Sequence, residues 1–425
     1  MCKTQIGYGL PTRQGTEKAH GEPPGVEELK AAKRNFDWPL EPDFFVPQDI
    51  LDEFRQAIPK GKRLEQEWQK RLQAYRQAFP SKAGELERRL AGSLPDRWDR
   101  DLPEFPADAK GMASRVASGK VLNAFAERVP EILGGSADLA PSTKTWIDGS
   151  ASFQANSPSG RNFHFGVREH AMGGIVNGMA VFGGVIPYAG TFLVFSDYMR
   201  AAIRMSALSH YPSIWVFTHD SVGVGEDGPT HQPVEQLAAL RSIPGLVLLR
   251  PGDANEVTQA WRLAIKRREG PTALIFSRQD LPTLDRNHYA PAVGVEKGAY
   301  VLADLGNGKP DLILMASGSE LHLIVEAGLQ LAASGINTRL VSFPSWELFA
   351  MQDEDYRALV LPAEIDRRIA IEAGVSQGWE RWVGPKGKIL AIDHFGASAP
   401  YKTIFKAFGL SAENLVLVAE QLAGS

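Results

Sequence analysis

Short, largely apolar runs recur between about residues 111 and 284, and this rhythm limits what the chain can fold into more than any other feature. The runs at 131–133, 185–195, 213–217, 246–249 and 272–276 are each followed by turn chemistry, and most by an amphipathic stretch. Strands with no polar alternation are covered on both faces, so the pattern predicts a mainly parallel sheet flanked by helices. Ligands of such sheets bind beyond the carboxyl ends of the strands. Those ends are 134–142, 196, 218–231, 250–253 and 277–280. After a turn-rich stretch at 285–298 the rhythm restarts at 312–316, 338–342, 369–372 and 389–393, which predicts a second, smaller α/β domain.

The N-terminal part reads differently. A strand-like run at 3–8 and a turn-rich segment at 20–25 precede a helix over 26–36. Between 49 and 90 charge density is high, and Leu64, Trp68, Leu72, Tyr75 and Phe79 recur at helical spacing. Surface helices there lay one apolar stripe on something larger. Residues 94–106 hold three prolines among alternating charges and read as a linker.

Charge and cysteine usage exclude several classes. With 46 Lys plus Arg against 50 Asp plus Glu, no global basic field draws the chain to nucleic acid or an anionic membrane. An anionic ligand must be held locally. The single cysteine, Cys2, allows no intrachain disulfide and no CxxC pair, which suits a reducing compartment. The first residues lack the charged start and apolar run of a signal peptide, so the expected location is cytoplasmic. Residues 171–196 carry no charge for longer than the roughly 20 residues of a membrane span. They contain six glycines, Asn177 and Pro187, however, and the pattern changes near Gly183. The expectation is a buried helix followed by a buried strand.

The segment Gly223-Val-Gly225-Glu-Asp-Gly228 matches G-x-G-x-x-G after a strand, with Asp253 after the next, so an NAD-binding oxidoreductase is one reading. Against it, Glu226 and Asp227 put two negative charges where a pyrophosphate would sit, and Pro229 and Pro233 delay the helix that should hold it. The same loop places His219, His231 and three acidic residues within fourteen positions at a strand end. Imidazoles there either cap local turns or hold hydroxyls and move protons near neutral pH. Glu169 enters the uncharged helix at its start, where an ionised carboxylate is costly to bury. It is either paired with Arg168 or His170 or suited to sharing a proton. Phe192, Phe195 and Tyr198 are core, or the wall of a flat ligand site. Arg115, Arg250 and Arg278 lie near element ends, as solvated charges or as bidentate phosphate contacts.

Taken together, GGSADLAPS (134–142), FGVREHAMGGIVNG (165–178), PYAGTFLVFSDY (187–198), THDSVGVGEDGPTHQP (218–233) and FSRQ (276–279) resemble transketolase. IGYG (6–9), HGEPPG (20–25), IEAG (371–374) and FGASAP (395–400) extend the resemblance through the chain in order. The resemblance implies a thiamine-diphosphate-binding fold over 108–284 and a transketolase C-terminal-like domain over 295–425. It implies a helical remnant of the diphosphate-binding domain with linker helices over 1–107. The implied activity moves a two-carbon ketol unit between sugar phosphates on thiamine diphosphate, in the pentose phosphate or reductive pentose phosphate pathway.

By the same resemblance, Glu169 matches the glutamate that hydrogen-bonds the cofactor pyrimidine and promotes the tautomer that removes the thiazolium proton. Phe195 matches the aromatic stacked on that ring, with Phe192 and Tyr198 lining the pocket and Asp138 bordering it. Arg115, Ser142, His219 and Arg278 match positions that grip the acceptor phosphate. Asp227 matches the acid that reads a substrate hydroxyl, His231 the histidine near the reacting end of the donor, and His20 a histidine between cofactor and substrate. No Gly-Asp-Gly segment occurs, so the expectation is a chain lacking most of the diphosphate-binding domain and itself holding no metal ligands. Mg2+ would then be held by a missing domain or an N-terminal transketolase subunit, in a homodimer or a complex. A non-catalytic transketolase-like subunit is the alternative.

Overall fold

In the computed structural model, which describes residues 1–424, the chain falls into two compact units, Met1–Gly84 and Glu85–Ser425. The first is helical: Lys18–Gly21, Val26–Asn35, Gln48–Arg55 and Ala57–Ala78, with Pro80–Leu90 crossing the boundary. The strand expected at 3–8 does not form. Gly7 and Gly9 turn the chain at φ 63° and 89°, and no strand in this unit offers a partner. The expected stripe covers less than its spacing suggests, because Leu64 and Trp68 are half exposed while Leu72 is buried.

Strands of the second unit are β1 Asp108–Ala113, β2 Ile132–Ser136, β3 Asn162–His164, β4 Ile186–Phe192, β5 Ile214–Thr218, β6 Val247–Leu249, β7 Thr272–Phe276, β8 Asp280–Thr283, β9 Tyr300–Leu305, β10 Leu312–Ala316, β11 Thr338–Ser342, β12 Arg368–Ile371 and β13 Lys388–Leu390. The first sheet is parallel throughout, in the order β3-β2-β4-β5-β7-β6. The second runs β13-β12-β10-β11-β9, parallel except for the antiparallel edge β9. β1 and β8 pair antiparallel apart from both. The apolar rhythm therefore marks two α/β layers, as expected.

Every residue of β4, β5, β7 and β10 is buried. One apolar cluster runs from Leu122, Tyr188 and Trp261 under the first sheet to Leu314, Ile324 and Leu415 under the second. Each such side chain contributes about 1.5–3 kcal/mol on burial. Residues 94–106 are irregular yet fastened: Asn255 exchanges two hydrogen bonds of 2.9 Å with the Phe105 backbone, and Leu94, Trp98 and Leu102 pack on that cluster.

Residues 171–196 form a helix and then a strand, Glu169–Phe182 and β4, parted by Gly183 at φ 81°. The helix is not fully buried, however. Met172 and Val176 pack in the core against the sheet and Ala180 is buried, while Ile175, Val181 and Phe182 are exposed. At 14 residues it is too short for a bilayer. Among the described residues no helix is long and apolar enough to cross a membrane.

Candidate active site

The order β3-β2-β4-β5-β7 lays the segments that follow these strands side by side along one carboxyl edge. Glu169 follows β3, Asp138 follows β2, Phe192 ends β4, His219 follows β5 and Arg278 follows β7. At the centre, Phe192 and Phe195 stack at 5.8 Å with 12° between planes. The His219 ring lies 3.7 Å from Phe192, centroid to centroid, and His231 sits edge-on to Phe195 at 5.7 Å. Tyr198, exposed, lies 6.1 Å from Phe195. The two histidines of the loop and the three aromatics thus form one cluster.

His219 is buried, at φ 61°, with Nδ1 2.9 Å from Thr218 Oγ1. Burial, then the positive charges of Arg115 and Arg278, then His231, lower its pKa to about 3. The imidazole is therefore neutral near pH 7 and available as a hydrogen-bonding group. His231 pairs likewise with Thr230 Oγ1, at 2.9 Å.

Arg115 leaves the first turn of the helix Ser114–Arg128 and donates from Nη1 to the Ser142 carbonyl at 2.7 Å. Its buried Nε has no partner. Burial and the charge of Arg278 push its pKa below the usual arginine range, with Asp280 opposing. Arg278 itself is exposed and makes no ion pair with a described residue. Two guanidinium groups that repel one another, one with a free buried donor, beside a neutral imidazole, form a site for an anion.

Glu169 opens its helix, is only 9% exposed, and pairs with neither Arg168 nor His170 among the described residues. A largely buried carboxylate without a protein donor, on the same sheet edge as a stacked aromatic pair, fits a flat heteroaromatic ring that carries its own donor. Asp138 is exposed at φ 61°, and Asp227 is exposed in the loop. His20 is exposed on the Lys18–Gly21 helix of the first unit. Among the described residues no group of three His, Cys, Asp or Glu could hold a metal.

As Glu226, Asp227 and the two prolines lead one to expect, the G-x-G-x-x-G segment is not followed directly by a phosphate-holding helix: Val222–Val224 is a 3-10 turn and the next helix starts only at Gln236. Its glycines serve turns at φ 85° and 80° and a close approach, since a Cβ on Gly223 would lie 2.4 Å from Gln279 Nε2. Asp253 caps the helix Ala254–Lys266 and pairs with Arg286 at 2.6 Å. Arg250 is neither a solvated charge nor a free phosphate contact. It is fully buried between Asp220 and Glu320. Nothing local in the sequence marks it, because these partners are 30 and 70 positions away.

Three family models match the chain: the transketolase pyrimidine binding domain at 110–283, the transketolase-like C-terminal domain at 298–411, and the transketolase thiamine diphosphate binding domain at 1–95. The chloroplastic transketolase of Craterostigma plantagineum is 46% identical over 421 residues, 99% of this chain and 80% of that protein. The chain belongs to the transketolase family. The transketolase of Geobacillus stearothermophilus is 49% identical over 423 residues, 99% of this chain and 63% of that one. A transketolase from Pichia stipitis, solved in complex with sedoheptulose 7-phosphate, superposes with a TM-score of 0.92 at 38% identity, covering 99% of this chain and 62% of that one. The chain therefore spans somewhat under two thirds of the length of these two transketolases. The match at 1–95 corrects the expectation that the diphosphate-binding domain is largely lacking and must come from a separate subunit.

Proposed function

We propose that the chain carries the substrate and pyrimidine side of a transketolase that moves a two-carbon ketol unit from a ketose phosphate to an aldose phosphate. The observation that carries this reading is the neutral, buried His219 packed on Phe192, itself stacked with Phe195, and close to the cations Arg115 and Arg278. Thiamine diphosphate would lie with its pyrimidine against Phe195, Phe192, Tyr198 and Glu169, near Asp138. When bound, it supplies an acidic ring carbon for attack on a ketose carbonyl and an electron sink for the bond broken next to it. Glu169 sets its carboxyl at the start of its apolar helix, where it would hydrogen-bond the cofactor ring. Arg115, Arg278, His219 and Ser142 hold the phosphate end of the sugar; Asp227 accepts from a hydroxyl. His231 serves the reacting end of the donor, a role its edge-on contact with Phe195 supports. His20 is assigned an active-site role on resemblance alone. No step is assigned to Mg2+.

The same reading divides the chain at 1–107, 108–284 and 295–425. As partner we propose a second copy of the chain, supported by the uncharged outward face of Ile175, Val181 and Phe182. Sedimentation of the full protein tests this, with a monomer at micromolar concentration as the contrary result. Against a non-catalytic role, Glu169, His219, Asp227, His231 and Arg278 are all in place.

The test of function is ketol transfer by the full protein with thiamine diphosphate and Mg2+. Arg278→Ala is expected to raise KM for a phosphorylated acceptor by about tenfold or more, from loss of about 1.5–3 kcal/mol in a charged hydrogen bond. A non-phosphorylated acceptor should be turned over unchanged. Equal effects on both acceptors would contradict the phosphate assignment.

A further inference from the structure

Arg250 lies just past the end of β6 and is buried completely. Its Nε and Nη2 donate to Asp220 Oδ2 at 3.1 and 2.7 Å. Its other donors leave the first sheet altogether. Nη1 reaches the Ser317 carbonyl and Oγ at 3.1 Å and the Glu320 carboxylate, and Nη2 reaches Ser319 Oγ at 3.0 Å. Asp220 is the neighbour of His219.

Ser317 to Glu320 follow β10, and Glu372 follows β12. In the second sheet the chain passes from β10 to β11 on one side and then to β12 on the other, so the strand order reverses between β10 and β12. The crevice at such a reversal is where open α/β sheets take a ligand. Here side chains of the first domain occupy it. Besides Arg250, Arg241 enters with a two-bond pair to Glu372 at 2.6 and 2.8 Å while its guanidinium lies on the Trp346 ring. Gly318, at φ 54°, closes on the guanidinium, since a Cβ there would lie 2.5 Å from Arg250 Nε.

The far end of the 218–233 loop is fastened to the same domain. Gln232 Nε2 donates to the carbonyls of Gly225 and Ala397 at 2.7 and 2.9 Å, and Ser398 Oγ donates to the Glu226 carbonyl at 2.6 Å. The loop that carries His219, Asp227 and His231 is thus tied at both ends to the C-terminal domain. His219 holds a left-handed backbone conformation that a non-glycine residue keeps only when its neighbours are fixed.

We infer that Arg250 is a positioning residue for sugar phosphate binding: it fills the ligand crevice of the C-terminal sheet, fixes Asp220 there, and through Asp220 sets His219. The C-terminal domain then serves the active site as the anchor of its substrate loop, and its crevice takes the guanidinium in place of a ligand. The inference rests on the reading that His219 contacts the sugar phosphate.

The experiment uses the full protein loaded with thiamine diphosphate and Mg2+, and compares Asp220→Asn, His219→Ala and the double variant. Asp220→Asn keeps the shape and one acceptor oxygen but weakens the tie to Arg250. Its KM for a phosphorylated acceptor is expected to rise about tenfold, with kcat within about threefold, cofactor affinity within about twofold and Tm within a few degrees. In the His219→Ala background the same change is expected to add less than about twofold, because both act through one group. Arg250→Lys, a point charge that cannot reach Asp220 and Ser317 together, is expected to fall between the wild type and Arg250→Met. Should Arg250→Met fail to fold, the Asp220 cycle still decides. Equal effects of Asp220→Asn with and without His219, or a parallel loss of Tm and cofactor affinity, would overturn the inference. An unchanged KM in His219→Ala itself would instead overturn the reading of His219, and the inference with it.

Discussion

His219 combines three costs in one residue: a left-handed backbone, worth roughly 1–2 kcal/mol for a non-glycine residue, a buried imidazole, and two nearby guanidinium groups. The pH consequence follows from its depressed pKa of about 3 against an ordinary 6.5. Between these values the unfolded chain binds the proton and the folded protein does not, so the stability is complete above about pH 6.5 and is lost as pH falls toward 3. Urea unfolding should show a loss of about 1 kcal/mol between pH 6.5 and 5.5 that is absent in His219→Gln. His322, lowered to about 4 by burial, adds a loss of the same sign in both proteins, so the difference isolates His219. A slope identical in the two would contradict the neutral, buried imidazole. At this scale the sequence was legible where types cluster locally, as in the two histidines of one loop. It was illegible at Arg250, where burial depends on acids that only the fold brings close.

The elements were read best where apolar character is unbroken. β10 and β11 occupy the predicted residues, because four- to six-residue runs bounded by turns have little else to become. β3, with only three residues, and β9, whose apolar run gives way to the part-exposed Asp304, went unread. β1 and β8 escaped for the same reason, as their burial is mixed. β2 shows what a strand pays for close neighbours. A Cβ on Gly135 would lie 1.8 Å from the Phe163 carbonyl oxygen of β3, and one on Gly134 2.1 Å from that of Tyr188 in β4. Gly135→Ala should destabilise the protein by about 3 kcal/mol or more, since backbone cannot yield as a side chain can. On the exposed helix face, Gly174 has open space around its Cβ position. There the same substitution should stabilise the helix by about 0.5–1 kcal/mol. Chemical denaturation of the pair checks both signs.

Across the second unit, buried ion pairs and a shared apolar cluster join the two sheets. Glu372 accepts from Arg241, Ser317 and Trp379 Nε1, and the surrounding cations hold its carboxyl down to about pKa 2 despite burial. Removing one member of such a set leaves an unpaired buried charge, at a cost of about 3–5 kcal/mol. Calorimetry of Glu372→Ala should therefore show a lower Tm and the single transition of the two sheets broadening into two. One sharp transition at the original temperature would contradict the coupling. This architecture places Glu169, Phe192, His219 and Arg278 along one sheet edge and fastens the loop between them. The most direct test of that account is the kcat for ketol transfer by the full protein carrying Glu169→Gln. A loss of about 100-fold or more, with sugar phosphate KM little changed, is what a carboxyl that exchanges a proton with the cofactor ring predicts. A Glu169→Gln enzyme with wild-type kcat would contradict it.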